Sequence, residues 1–323
     1  MTQAIRIHSH GGPEVLQWEP VETGDPGPGE VRIRHTAVGL NFIDVYERNG
    51  LYQTRLPLIP GREAAGVIEA VGTGVKNFTV GNRVAYVSQI SGAYTQQRVM
   101  SAERLLRVPE GIDDRTAAAM MMKGLTAQAL LRQTYRVRKG DVLLIHAAAG
   151  GVGLIMLQWA KLIGATVIAV VGSQPKAELA HTHGADHVLL LEDDWVAQVK
   201  AITRNRGVSV VYDSIGKDTF VQSLDCLRPR ALMVSYGNAS GPVAPIAPLE
   251  LSRRGSLFLT RPTMFHYIAT RAELQRAAQE LFDLVARSLI QVRVGQTFSL
   301  ENAGDAHRAL EARQTTGSTV LLP

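Results

Sequence analysis

Two hydrophobic patterns divide the chain. From residue 1 to about 124, short apolar runs such as "EVRIRHTAVG" and "NRVAYVS" are separated by Gly, Pro, Asn and Asp clusters, which predicts β-strands joined by turns. "GDPGPGE" at 24–30 is one such turn, because proline presets its backbone and glycine accepts positive φ. From about 125, apolar runs alternate with helical stretches: "VLLIHAAAGGVGLIMLQWAKLIGATVIAVVG", "PKAELAHTHGADHVLLL", "WVAQVKAITRNRGVSVVYDSIG", "FVQSLDCLRPRALMVSYG". That alternation predicts an α/β domain, a parallel sheet with helices on both faces. Candidate strands lie near 142–146, 166–171, 187–191, 208–212, 231–235 and 256–260, and six is the number in a complete doubly wound dinucleotide-binding sheet. Residues 271–288 read as an amphipathic helix, and the mixed short elements after it are expected to rejoin the first domain. The expected division is therefore 1–124 with 266–323, and 125–265.

Composition narrows the class. A chain of 323 residues suits two domains, and 46% hydrophobic with 20% charged residues is ordinary for a packed globular protein. The net charge of +5 is spread along the chain without a block of like charges, so nothing points to a nucleic-acid partner. The N-terminal "MTQAIRIHSHGG" has no apolar core, and no apolar run reaches the ~20 residues of a membrane span, so a cytoplasmic protein without membrane contact is expected. The single cysteine, Cys226, excludes an internal disulfide and a cysteine-rich zinc site, and is expected to pack inside.

The sharpest motif runs from Val142 to Ala165. A buried strand enters a turn containing Ala149, Gly150, Gly151, Val152 and Gly153, and a helix follows with apolar residues at 152, 156, 159 and 163. Missing side chains let the backbone approach a pyrophosphate, whose charge the helix N-terminus favours. Ala148 replaces the first glycine of the GxGxxG pattern, so the order of strand, turn, helix and second strand carries the reading more than the glycines do. The second strand ends "VVGSQPK" with no acid before Glu178. An acid there would bond the ribose hydroxyls of NAD and repel a 2′-phosphate. Ser173 and Lys176 instead offer a donor and a positive charge, which favours NADPH over NADH, although Ser173 and Pro175 also suit a plain helix start.

One segment resists this reading. "IPGREAAGVIEAVG", Ile59 to Gly72, sets Arg62 and Glu63 among small and apolar residues. Together with "HAAAGGVGLIMLQWAKLIGA", "KGLTAQ", "VVYDSIG" and "LMVSYGN", it resembles the medium-chain dehydrogenase/reductase superfamily; "GGPEVL", "GLNFIDVYERNGLY" and "KGLTA" resemble its zinc-independent NADPH:quinone oxidoreductases, the relatives of zeta-crystallin. The resemblance covers nearly the whole chain and implies a GroES-like β-rich catalytic domain beside a Rossmann domain. In zinc alcohol dehydrogenases of that superfamily the matching segment reads GHE, with the histidine on zinc. Here Arg62 stands in its place, and arginine does not deprotonate to bind a metal. Arg62 and Glu63 are accordingly expected to be structural, as an ion pair, with direct substrate contact as the other reading.

The resemblance also implies roles for single residues. Asn41, Tyr46 and Tyr52 match positions lining the substrate cleft between the domains, where a tyrosine ring can stack on a planar quinone while its hydroxyl bonds the carbonyl. Tyr52 is the candidate for orienting the quinone and donating a proton, and Asp44 is expected to hold the loop. Lys123 and Thr126 match positions that contact the cofactor, and Thr126 also joins the candidate catalytic group. Gly172, Ser173 and Lys176 match the adenosine-phosphate site, Ser214, Tyr236, Gly237 and Asn238 the loops along the dinucleotide, and Arg313 a phosphate contact. The run "HVLLLEDD" lacks a tyrosine that relatives place on the 2′-phosphate, and Glu192 there opposes it. Residues 255–262 match an edge strand that pairs across a two-fold axis, implying a homodimer. Three readings follow: NADPH-dependent reduction of a quinone, reduction of an activated double bond in an alkenal, enone or enoyl thioester, and a non-catalytic NADPH-binding protein.

Overall fold

A computed structural model describes all residues, Met1–Pro323. The chain forms two compact units, one of Met1–Leu125 with Ile268–Pro323 and one of Thr126–Tyr267.

In chain order, the first unit opens with the hairpin β1 (Thr2–Arg6) and β2 (Gln17–Val21), then β3 (Glu30–Leu40), helix α1 (Phe42–Arg48), β4 (Glu63–Val71), β5 (Arg83–Val87), β6 (Gln97–Ser101), β7 (Leu105–Arg107) and helix α2 (Asp114–Gln128). β3 is the hub. It pairs antiparallel with both β4 and β6, and Val31, Ile33 and His35 alternate inward along it as a half-buried strand requires. Small residues set the closeness of this pairing: a Cβ on Gly66 of β4 would sit 2.2 Å from the Arg34 carbonyl oxygen.

The second unit holds β8 (Val142–His146), α3 (Gly151–Ile163), β9 (Thr166–Val171), α4 (Gln174–Thr182), β10 (His187–Leu190), α5 (Trp195–Ile202), β11 (Val208–Asp213), α6 (Phe220–Asp225), β12 (Leu227–Ser235), α7 (Pro248–Arg253), β13 (Phe258–Thr260) and α8 (Met264–Tyr267). Its six strands are all parallel in the order β10-β9-β8-β11-β12-β13, the doubly wound Rossmann arrangement. The core is one apolar cluster that includes Leu144, Ile168, Val211, Phe220 and Met233. Cys226 belongs to it, a free thiol whose pKa burial pushes up to about 12.

The chain then returns to the first unit with α9 (Arg271–Ala286), β14 (Val294–Ser299), α10 (Ala303–Glu311) and β15 (Ser318–Leu322). β15 pairs antiparallel with the end of β3, completing a seven-stranded sheet. α9 starts on a capping box, Thr270 with Glu273, and buries Leu274, Ala277, Ala278, Leu281 and Phe282 on one face. No helix is long and apolar enough to cross a membrane.

Candidate active site

The Arg62–Glu63 pair separates at the start of β4. Successive strand side chains point to opposite faces, and the two residues take different partners, which corrects the expectation that they pair with each other. Glu63 is fully buried; its Oε1 accepts bonds from Asn41 Nδ2 at 2.8 Å and Lys123 Nζ at 3.0 Å, and its Oε2 from the Met122 N–H at 2.5 Å. Gly39 lies opposite on β3, where a Cβ would fall 2.2 Å from Glu63 Oε1, so this glycine makes room for the carboxylate. Arg62 turns to helix α1 and the loop after β5. Its guanidinium bonds Glu47 Oε1 and the Gln89 carbonyl, and Ser91 Oγ donates to the other Glu47 oxygen at 2.8 Å. No group of three or more His, Cys, Asp or Glu side chains is placed to hold a metal ion.

Asn41 opens α1, and its backbone N–H donates to Asp44 Oδ2 at 2.9 Å, so the residue whose amide meets Glu63 is fixed from both ends. Tyr46 is buried and Tyr52 half-buried; their rings meet edge to face at 5.2 Å, and the Tyr52 N–H donates to the Tyr46 carbonyl at 2.9 Å. Asn41, Tyr46 and Tyr52 thus share α1 and the turn after it. Lys123, near the end of α2, is buried and donates to the Leu40 carbonyl as well as to Glu63, both at 3.0 Å. Thr126 lies one helical turn from it, half-buried.

Behind α1 runs a buried chain that sequence spacing did not reveal. Tyr94 OH lies 3.0 Å from Asp44 Oδ2 and 3.1 Å from His307 Nε2, and Arg48 Nη1 lies 3.0 Å from His307 Nδ1 while its guanidinium grips Glu311. Arginine only donates, so His307 Nδ1 accepts. Its Nε2–H then donates to Tyr94, whose hydroxyl donates to Asp44. Asp44 holds the loop as expected, and it also titrates.

In the second unit, every predicted cofactor residue sits after the carboxyl end of a parallel strand. Ala149, Gly150, Gly151, Val152 and Gly153 form the turn after β8 and the first turn of α3. A Cβ on Gly153 would lie 2.5 Å from the Ala148 oxygen, so the glycine lets the helix close on the turn rather than on the strand itself. Gly172, Ser173 and Lys176 follow β9; a Cβ on Gly172 would meet open space, and Ser173 is the N-cap of α4. Ser214 follows β11, and Tyr236, Gly237 and Asn238 follow β12. These two loops abut so closely that a Cβ on Gly237 would lie 2.3 Å from the Ser214 oxygen. Arg313 lies elsewhere, exposed after α10 of the first unit in a left-handed conformation with φ 59°.

Two buried groups give the first unit opposed pH dependences. Burial, then the Glu47 charge, raises the Asp44 carboxyl from its ordinary 3.8 to about 7, with the Asn41 and Tyr94 bonds and Arg62 acting against this. Burial, then the Arg48 charge, lowers His307 from 6.5 to about 3. The unfolded chain loses the Asp44 proton first, so this residue's stabilisation is full below its unfolded value and is lost as pH rises toward 7. The His307 stabilisation is full above 6.5 and lost as pH falls toward 3. Asp44→Asn removes only the first effect. Its thermal midpoint, measured against the wild type, is expected to gain at least about 2 °C between roughly pH 5 and pH 8; a constant difference across that range would contradict the assignment.

Comparison with known proteins agrees with this geometry along the whole chain. Residues 27–112 match the family described as "Alcohol dehydrogenase GroES-like domain", and residues 151–287 the family described as "Zinc-binding dehydrogenase". The chain is 50% identical to a quinone oxidoreductase of Pseudomonas aeruginosa, with all of both chains covered. It is 48% identical to a 2-haloacrylate reductase of a Burkholderia species, covering all of this chain and 99% of that one. Among solved structures, the Escherichia coli quinone oxidoreductase complexed with NADPH is 46% identical and superposes with a TM-score of 0.97, covering 99% of this chain and all of that one. With two such units in this order and relatives matched end to end, the chain belongs to the quinone oxidoreductase family of the medium-chain dehydrogenase/reductase superfamily.

Proposed function

We propose that the protein is an NADPH:quinone oxidoreductase whose own side chains supply no metal site. The observation that carries this reading is the end-to-end likeness to a quinone oxidoreductase solved with NADPH, joined to a sheet edge whose residues suit that cofactor. The turn Ala149–Gly153 leaves its backbone close to the N-terminus of a 13-residue helix, where N–H groups lack intrahelical partners and an anionic pyrophosphate is favoured. The open space at Gly172 leaves room for the adenosine phosphate beside Ser173 and Lys176, with no carboxylate at that strand end to repel it. Ser214, Tyr236, Gly237 and Asn238 line the rest of the dinucleotide, and the phosphate role of Arg313 rests on the family resemblance alone. Lys123 gives two N–H groups to Leu40 and Glu63, and the cofactor contact that the family resemblance implies for it would use the third.

Bound NADPH supplies the reducing electrons. The protein's part is to place an acceptor that is already electrophilic, which needs orientation and proton delivery more than a Lewis acid. The edge-to-face Tyr46 and Tyr52 rings offer an aromatic wall for a planar quinone, Tyr52 OH bonds the carbonyl and donates a proton, and Asn41 and Thr126 complete the polar contacts. A second reading has its own support: the 2-haloacrylate reductase is nearly as similar as the quinone oxidoreductase, and a conjugated carboxylate shares the electrophilic logic of a quinone. The exposed edge strand β13, with Phe258 62% and Leu259 37% exposed, suits pairing with a second copy to continue the sheet.

Purified, chelator-treated protein is expected to oxidise NADPH rapidly with 1,4-benzoquinone or 1,2-naphthoquinone, and slowly with NADH. Turnover of a 2-haloacrylate or 2-alkenal in preference to quinones would move it to the double-bond reductases, and loss of activity on chelation would overturn the metal-free reading. In the same assay Lys176→Ala should raise KM for NADPH about tenfold, the loss of one charge-assisted bond, with little change for NADH; equal changes would remove Lys176 from the phosphate site. Sedimentation should show a dimer that Phe258→Glu shifts toward monomer, and a monomeric wild type would reject the edge-strand pairing.

A further inference from the structure

Beneath the candidate cofactor loops of the second unit lies a buried carboxylate with no cation beside it. Asp213, the last residue of β11, is fully buried and accepts four hydrogen bonds. Its Oδ1 takes the N–H groups of Ile215 at 2.8 Å and Gly216 at 3.0 Å, and its Oδ2 the hydroxyls of Thr219 at 2.8 Å and Ser223 at 3.0 Å. A carboxylate only accepts, so the Ser223 hydroxyl must donate to it, and the Ser223 oxygen is left to accept from His146 Nε2–H at 2.9 Å. His146, the last residue of β8, is fully buried, lies edge-on to Trp195 with centroids 5.0 Å apart, and keeps a buried Nδ1 without a partner. One network therefore joins the ends of β8 and β11 through α6.

The network continues into the loops. The two bonds at Oδ1 bend the chain through Ser214 to Gly216, which has φ +92° and whose Cβ would lie 2.7 Å from the Gly241 oxygen. That bend is stitched to the loop after β12: the Tyr236 N–H donates to the Asp213 carbonyl at 2.8 Å, Ala239 to Ser214 at 3.2 Å and Ser240 to Ile215 at 2.8 Å. Ser214 and Tyr236–Asn238 thus hang from one buried anion and its donors, and His146 joins that network at the end of β8, three residues before Ala149.

We propose that Asp213, braced by Thr219, Ser223 and His146, is the positioning residue for the dinucleotide: it fixes the loops after β11 and β12 that hold NADPH and so sets cofactor affinity from beneath them. This rests on the cofactor reading above. Loops held in place before binding lose little freedom when the ligand arrives, so loosening them weakens binding more than it changes chemistry in the bound state.

The test compares Ser223→Ala and Thr219→Ala, which each remove one hydroxyl from Oδ2, with Thr219→Ser, which restores it, and Asp213→Asn. NADPH Kd by fluorescence titration, kcat and quinone KM at saturating NADPH, and thermal midpoints are measured on each. Both alanine variants are expected to raise NADPH Kd about tenfold, and Thr219→Ser to return within about twofold of wild type, with kcat and quinone KM moving far less. Unchanged Kd with lowered midpoints would overturn the proposal by reducing the network to packing, as would a fall in kcat at unchanged Kd. If Asp213→Asn does not fold, the hydroxyl series still decides. Absence of NADPH binding by the wild type would instead defeat the cofactor reading itself, an outcome distinct from tight wild-type binding that the variants leave untouched.

Discussion

The Glu63 carboxylate, fully buried and bonded by Asn41, Lys123 and the Met122 N–H, ties the start of β4 to the turn that opens α1 and to the end of α2. Taking such a charge out of water is costly, and removing a partner from a buried pair typically costs about 3–5 kcal/mol because the remaining charge is stranded. The small residues around it follow from that constraint. Gly39 leaves the volume the carboxylate fills, Gly66 lets β4 close on β3, and Ala64 and Ala65 pack without excess bulk. A segment that carries a zinc ligand in distant relatives here carries an arginine clamp on one side and a buried acid on the other. The candidate substrate residues Asn41, Tyr46 and Tyr52 sit on the turn and helix these two groups hold.

The second unit buries a carboxylate by a different route. Asp213 has no cation at its oxygens and relies on two N–H groups and two hydroxyls, a set of dipoles that satisfies the charge in place. An ion pair in one unit joins secondary-structure elements; the dipole cradle in the other sets loop conformation. Both carboxylates are held inside, where they fix geometry.

How much of this was legible in the sequence depended on range. The strands of the second unit read within a residue or two at most ends, because strands buried on both faces are continuous apolar runs. β12 is the exception. It begins at Leu227, four residues before the expected 231, because exposed Arg228, Pro229 and Arg230 mask its start. The glycine turn and the N-cap Ser173 were readable because each is a local pattern, whereas the segment 41–52 entered only through the family resemblance. The partners of Arg62 and Glu63 were not, since strand alternation sends neighbours apart and their partners lie 15 and 60 residues away. Nor was the Tyr94–His307 contact, 213 residues apart, for which no spacing rule exists.

The most direct test of a structural, non-catalytic Glu63 is a double-mutant cycle with Glu63→Gln and Lys123→Met, followed by urea unfolding and by NADPH-dependent quinone turnover. A buried frame predicts that each single change costs about 3 kcal/mol or more and that the double change costs at least about 1 kcal/mol less than their sum. Additive stability losses, or Glu63→Gln folding as stably as the wild type while quinone turnover disappears, would contradict it and place the carboxylate in the chemistry.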